Sequence, residues 1–127
     1  MKATIWTLVV ILVLLSLIGW GGAWLTRNAS KSFYQEAEML EEQLLKGDWA
    51  GLKQRMEALE PRWLAARNWL QLWINHKDTD DVTLSLGRLR AGMLLQDASL
   101  TMDAIAELKE ACLHLYHRDA LRLTNLI

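Results

Sequence analysis

Residues 49–73 read WAGLKQRMEALEPRWLAARNWLQLW. Trp49, Leu52, Met56, Leu59, Trp63, Ala66, Leu70 and Trp73 are spaced by three and four residues in strict alternation. Because an α-helix turns every 3.6 residues, this spacing puts all eight on one face, an apolar seam over about seven turns. Pro61 interrupts the stretch. It leaves the carbonyl of Glu57 without its donor, and its ring crowds the preceding turn. One kinked helix and two helices meeting near Glu60 both accommodate it; the seam stays in phase across Pro61, which favours the kink.

The flanking sequence continues the helical pattern. Phe33, Ala37, Leu40 and Leu44 step by four, three and four behind Ser32-Phe33-Tyr34-Gln35. That tetrad has the form of a capping box, so a helix is expected to start at Ser32. Gly47-Asp48 reads as a stop and a restart, a left-handed C-cap followed by an N-cap. After the seam, His76 to Asp81 reads as a polar turn whose acids Asp78, Asp80 and Asp81 cap a third helix and face its positive end. Val82, Leu86, Leu89 and Met93 form the inner face of that helix. Gln96 to Ser99 supplies a turn and a cap, and Ile105, Leu108, Cys112 and Leu115 point inward from a fourth helix. The tail from Arg118 to Ile127 is amphipathic and short, and is expected to pack back on the bundle. Beyond residue 25 there are 20 Leu and 12 Ala, against only four β-branched aliphatics, Ile74, Val82, Ile105 and Ile127. This composition favours helix over strand. No 34-residue self-similarity supports a tetratricopeptide array.

The N-terminus differs in kind. Residues 3–25 are uncharged and hold 17 apolar residues. As a helix they extend about 34 Å, against a hydrocarbon core of about 30 Å. Trp6 stands near one end and Trp20 and Trp24 near the other, where indoles prefer the headgroup layer. A cleaved signal peptide is the competing reading, with Gly21-Gly22-Ala23 as the small-residue site. The apolar run is too long for that, and Trp20 and Trp24 crowd the supposed cut. Lys2 on one side and Arg27 and Lys31 on the other nearly tie under the positive-inside rule. The two-residue tail before the span tips the expectation to a signal anchor with the C-terminal part outside the cytoplasm. Gly19 and Ala23 form a small-xxx-small pair of the kind that lets two helices approach.

The expected fold is therefore all-α: a transmembrane anchor over residues 1–27, then an antiparallel bundle of about four helices over residues 28–127. Short connections impose the antiparallel order. All 15 acidic residues and all but Lys2 of the 14 basic ones fall after residue 25, with the signs interspersed. No basic run tracks a phosphate backbone, so nucleic acid is not an expected partner. Cys112 is the single cysteine, which excludes an intrachain disulfide and reads as a small buried hydrophobe.

The segments KGDW (46–49), LWINHKDTDDVTLSLGRLRAGM (72–93) and AIAELKEACLHLYH (104–117), set behind an apolar anchor and a Trp-rich helix, resemble domain-of-unknown-function family 4363. Its members are short membrane-anchored helical proteins, found mainly in Firmicutes. His76, Asp80, Ser85, Leu86 and Leu89 fall on its recurring His, Asp, Ser and Leu positions. Asn75 stands where the family often has an acid beside the His, which weakens any carboxylate–His role. The resemblance implies an architecture and no activity.

Three constellations of side chains bear on chemistry. His76, His114 and His117, with the nearby acids, suggest a metal- or ligand-sensing site, since imidazoles three apart share a helix face. The plainer account places His114 and His117 in the last turn of helix four, where the helix dipole favours a cation. A calcium loop counted from Asp78 fails, because Thr83 and Leu89 replace the Gly and Glu it needs. His76, Asp80 and Ser85 suggest a triad, but Ser85 lacks a Gly-flanked elbow and an oxyanion donor. A polar clasp in which His76 bonds Asp80 or Ser85, fixing helix two against helix three, is the expectation. Trp49, Trp63 and Trp73 are expected in the core. Trp69 lies off the seam and with Leu72 widens the apolar face, either as buried surface or as an interaction face. The expected function is a non-enzymatic, single-pass membrane accessory protein without cofactors. Its partners are the lipid bilayer and either a membrane protein or a second copy of the chain.

Overall fold

The computed structural model describes the backbone of residues 1–125 and the side chains of residues 1–115. Four helices occupy the described residues, with no strand: α1 Lys2–Leu45, α2 Trp49–Leu70, α3 His76–Leu95 and α4 Ala98–Asn125. Each turn joining them is at most five residues long, so consecutive helices run antiparallel. Helix α4 packs most extensively on α3 and α1, whereas α2 meets α1 and α3 over smaller areas.

Helix α1 does not start at Ser32. It runs unbroken for 44 residues from the apolar segment into the bundle. No Pro or Gly lies between Ala23 and Lys46, and extending a formed helix fixes one residue per hydrogen bond. A new start would meet the nucleation cost again. Ser32 is mid-helix, where its Oγ accepts from Arg62 Nη2 at 3.1 Å rather than capping. Every residue from Met1 to Trp20 is exposed. Burial then begins at Gly22 and continues through Thr26, Ser30, Phe33, Ala37, Leu40 and Leu44. Bundle packing thus reaches into the segment read as anchor.

The α1–α2 turn follows the sequence reading. Gly47 adopts φ +69°, its N–H donates to Leu44 O, and the Asp48 N–H donates to Gln43 O. This pair of bonds closes a Schellman motif, and Asp48 Oδ1 then caps α2 by accepting from the Gly51 N–H at 2.9 Å. Helix α2 continues through Pro61 as one element. Glu57 and Pro61 are both exposed, so water can serve the carbonyl that lost its donor. From Leu52 to Leu70 every seam residue is buried, and the terminal Trp49 and Trp73 are half-buried against the core.

Helices α3 and α4 correct two boundaries. His76 to Asp81 is the start of α3, not a turn: Asn75 is the cap, with its Oδ1 accepting from the Lys77 N–H. Asp78 alone of the three acids stands in the first turn. Helix α4 starts behind Asp97, whose Oδ1 accepts from the Leu100 N–H at 3.1 Å, and Ile105, Leu108, Cys112 and Leu115 are buried as expected. It runs on to Asn125, so His114 and His117 lie before its last turns and Arg118 to Asn125 is no separate tail.

The core is a Leu-rich column built around Trp63. The indole of Trp63 meets Phe33 of α1 edge-on, with centroids 5.3 Å apart and planes at 89°. Its Nε1 donates to Thr83 Oγ1 of α3 at 2.9 Å. The interspersed charges become cross-helix pairs: Glu36–Arg62 on α1–α2, Glu60–Arg90 on α2–α3, Arg88–Glu107 on α3–α4 and Glu41–Lys109 on α1–α4. Exposed pairs of this kind contribute little each, about 0–1 kcal/mol, and here all four adjacent helix pairs carry one.

Neighbouring positions in α2 test its phase across Pro61. Trp63→Ala should cost about 3–5 kcal/mol, whereas Leu64→Ala, on the half-exposed opposite side, should cost under about 1 kcal/mol. Thermal unfolding of the full chain in detergent would check this; equal losses would show that the seam slips at the proline.

Candidate functional site

The expected clasp is not formed. His76 and Asp80 are exposed, and the buried Ser85 Oγ donates to the carbonyl of Asp81 at 2.8 Å, one turn back on its own helix. The reason is the start of α3 at His76: the imidazole projects from the first turn instead of crossing a loop. Threonines join α2 to α3 in its place. Gln71 Nε2 donates to Thr79 Oγ1 at 3.4 Å, Thr79 Oγ1 donates to the His76 carbonyl at 2.9 Å, and Thr83 receives Trp63. A sequence signal for these existed. Carrying the Val82–Leu86–Leu89 phase back by three and four residues reaches Thr79 and Asp78, both buried.

The histidines are spread out. His114 is exposed, with Nε2 3.9 Å from Glu110 Oε1, beside a shallow groove of about 320 Å³ between α3 and α4. Arg88 and Glu107, already paired, stand in the same groove. The side chain of His117 lies outside the described residues. Among the described residues, no group of three or more His, Cys, Asp or Glu side chains is placed to hold a metal ion.

Two surfaces distinguish the ends of the bundle. At the end away from the apolar segment, α2 and α3 diverge around a groove of about 500 Å³. Trp49, Met56, Met93 and Leu94 give it an apolar floor, and Lys53, Glu57, Glu60 and Arg90 rim it. At the other end stands the α2–α3 turn, residues 71–75. The pair Trp69 and Leu72 divides here: Trp69 packs partly buried on the core, while Leu72 is 77% exposed. Trp73 turns toward α1 and lies flat on Gly22, where a Cβ would stand 2.7–2.9 Å from Cδ2, Cε3 and Cε2 of the indole. Only glycine admits that approach.

Two ionisable groups stand above their ordinary ranges. Burial pushes the Cys112 thiol up to about 12. The hydrogen bond from Lys109 to Glu41 holds that ammonium above its ordinary range, with the Tyr34 ring 5.7 Å from Nζ. Ser30 Oγ donates to the carbonyl of Cys112, which ties α1 to α4 at this level.

The family model for a domain of unknown function, DUF4363, matches residues 25–126. The chain belongs to this family. No curated protein and no solved structure matches it. The DUF4363 match starts near the point where α1 becomes buried, so it coincides with the bundle and leaves most of the exposed apolar stretch outside.

Gly22→Ala should lower stability by about 1–3 kcal/mol and shift Trp73 fluorescence, because a rigid ring must move. At Gly19, where nothing lies within 4 Å, the same change should be neutral or stabilising by up to about 1 kcal/mol. For Cys112 the sign follows from linkage. The unfolded thiol ionises near its ordinary value of 9.0 while the folded one keeps its proton. Stability should therefore fall as pH rises above about 9, approaching a plateau near 12. A disulfide-exchange reagent at pH 8 should label Cys112 only at the rate of unfolding; fast labelling of the folded chain would contradict its burial.

Proposed function

We propose that this protein is a membrane-anchored, non-enzymatic accessory protein that holds a helical bundle against the membrane surface. The observation that carries the reading is α1. Its first part has a mean hydropathy of 2.4 over 18 residues, none of them buried by the protein, and the same helix supplies a core stripe of the bundle. A soluble protein rarely leaves so large an apolar surface uncovered. The exposed residues 3–20 extend about 27 Å, close to a hydrocarbon thickness of about 30 Å.

In this reading the bundle meets a partner membrane protein or a second copy of the chain, and the C-terminal part lies outside the cytoplasm. The groove between α2 and α3 supports the first point, since an apolar centre with a charged rim is the ordinary make-up of a protein interface.

Alkaline carbonate extraction of cell membranes should leave the full chain in the pellet, and deletion of residues 3–20 should release it. Extraction of the intact chain would overturn the anchor. A phosphatase fused after Ile127 should be active and a fluorescent protein there dark; the opposite pattern would reverse the orientation.

A further inference from the structure

We infer that the α2–α3 turn, through Leu72 and Trp73, is a second membrane contact seated in the headgroup layer beside Trp20 and Trp24. This rests on the reading of α1 as a membrane span. Because α1 is a single helix, the height of any residue packed on it follows from its rise per residue. Trp73 lies on Gly22, two residues and about 3 Å beyond Trp20. Trp20 and Trp24, 75% and 56% exposed, mark the level where the span leaves hydrocarbon. The turn therefore stands at the height of the interface, whichever side of the membrane the bundle occupies.

The chemistry of the turn fits that layer. Leu72 exposes 77% of its surface beside the half-buried Trp73, and indole prefers the boundary between headgroups and acyl chains. Exposed Lys77, in the first turn of α3, and Arg27, five residues beyond Gly22, are basic groups of the kind that meet anionic headgroups. Exposure alone does not select this turn, since Leu45, Leu94 and Leu95 are also uncovered. Those residues sit at the opposite end. Leu45 is 23 residues beyond Gly22 along α1, about 34 Å, out of reach of the bilayer. Of these exposed leucines, height singles out Leu72, and with it the neighbouring Trp73. The bundle is then held at two points, the span and the turn, which fixes its tilt as well as its tether.

Site-directed nitroxide labelling tests the assignment with the full chain in vesicles of phosphatidylcholine and phosphatidylglycerol. Single cysteines Leu12→Cys, Trp24→Cys, Leu72→Cys and Leu94→Cys are introduced into a Cys112→Ala background whose helicity is verified. Accessibility to oxygen against a water-soluble nickel chelate reads depth. The label at 12 should be deep, that at 94 fully open to nickel, and that at 72 should rank with 24, several-fold less open to nickel than 94. If 72 matches 94 while 12 stays deep, the turn does not touch the membrane and the span stands. If 12 is open to nickel, the span reading fails and this inference with it.

Discussion

Continuous backbone hydrogen bonding in α1 is the constraint on which the rest of the structure depends. On the proposed reading of the apolar segment as a membrane span, a peptide group without a partner there would cost several kcal/mol, which agrees with a segment that is helical along its whole length. With no Pro or Gly between Ala23 and Lys46, nothing stops that helix short of the bundle. It arrives in the bundle already formed, and Phe33, Ala37, Leu40 and Leu44 serve as the wall on which α2 and α4 assemble. One continuous helix thereby joins the exposed apolar segment to the core of the bundle.

On that wall, Trp63 is the side chain that fixes registry. It is 1% exposed, meets Phe33 through its edge and spends its only polar group on Thr83. An aromatic pair and a satisfied buried N–H together bind three helices at one level. Charged pairs at the periphery agree with the same alignment, although each adds little free energy. Leucines fill volume but tolerate sliding; a hydrogen-bonded indole between α1 and α3 does not.

What the sequence disclosed and what it hid follow from the range of the interactions concerned. The seam from Trp49 to Trp73, the Gly47-Asp48 stop and the inward faces of α3 and α4 were legible, because three-and-four spacing and cap chemistry are local. Ser32 and His76 misled for the same reason. Ser32-x-x-Gln35 is a valid start signal for an isolated helix, overridden by one already propagating through it. The acids after His76 look like a loop until Asn75 caps the helix ahead of them. The clasp had the right location and the wrong residues: His76 and Asp80 attract notice by their chemistry, whereas Thr79 and Thr83 do the joining because their helical phase faces α2. Trp69 and Leu72 share a helical phase that would widen the seam, and the structure separates them into core and surface, because α2 ends at Leu70. The close contact of Trp73 with Gly22 depends on how two distant segments meet and has no local signature.

The place of α4 has a consequence for assembly. Of the partners of α1, the one that covers it most extensively is the more distant in sequence, α4, so the closing contacts join residues some 80 positions apart, as Ser30 and Cys112 do. Contacts of such long separation are slow to form, since the loop they close must first lose its freedom. Until α4 is in place, the apolar stripe of α1 has only α2 to shield it. A chain in which α4 has not yet docked therefore passes through a stage in which this apolar stripe is open.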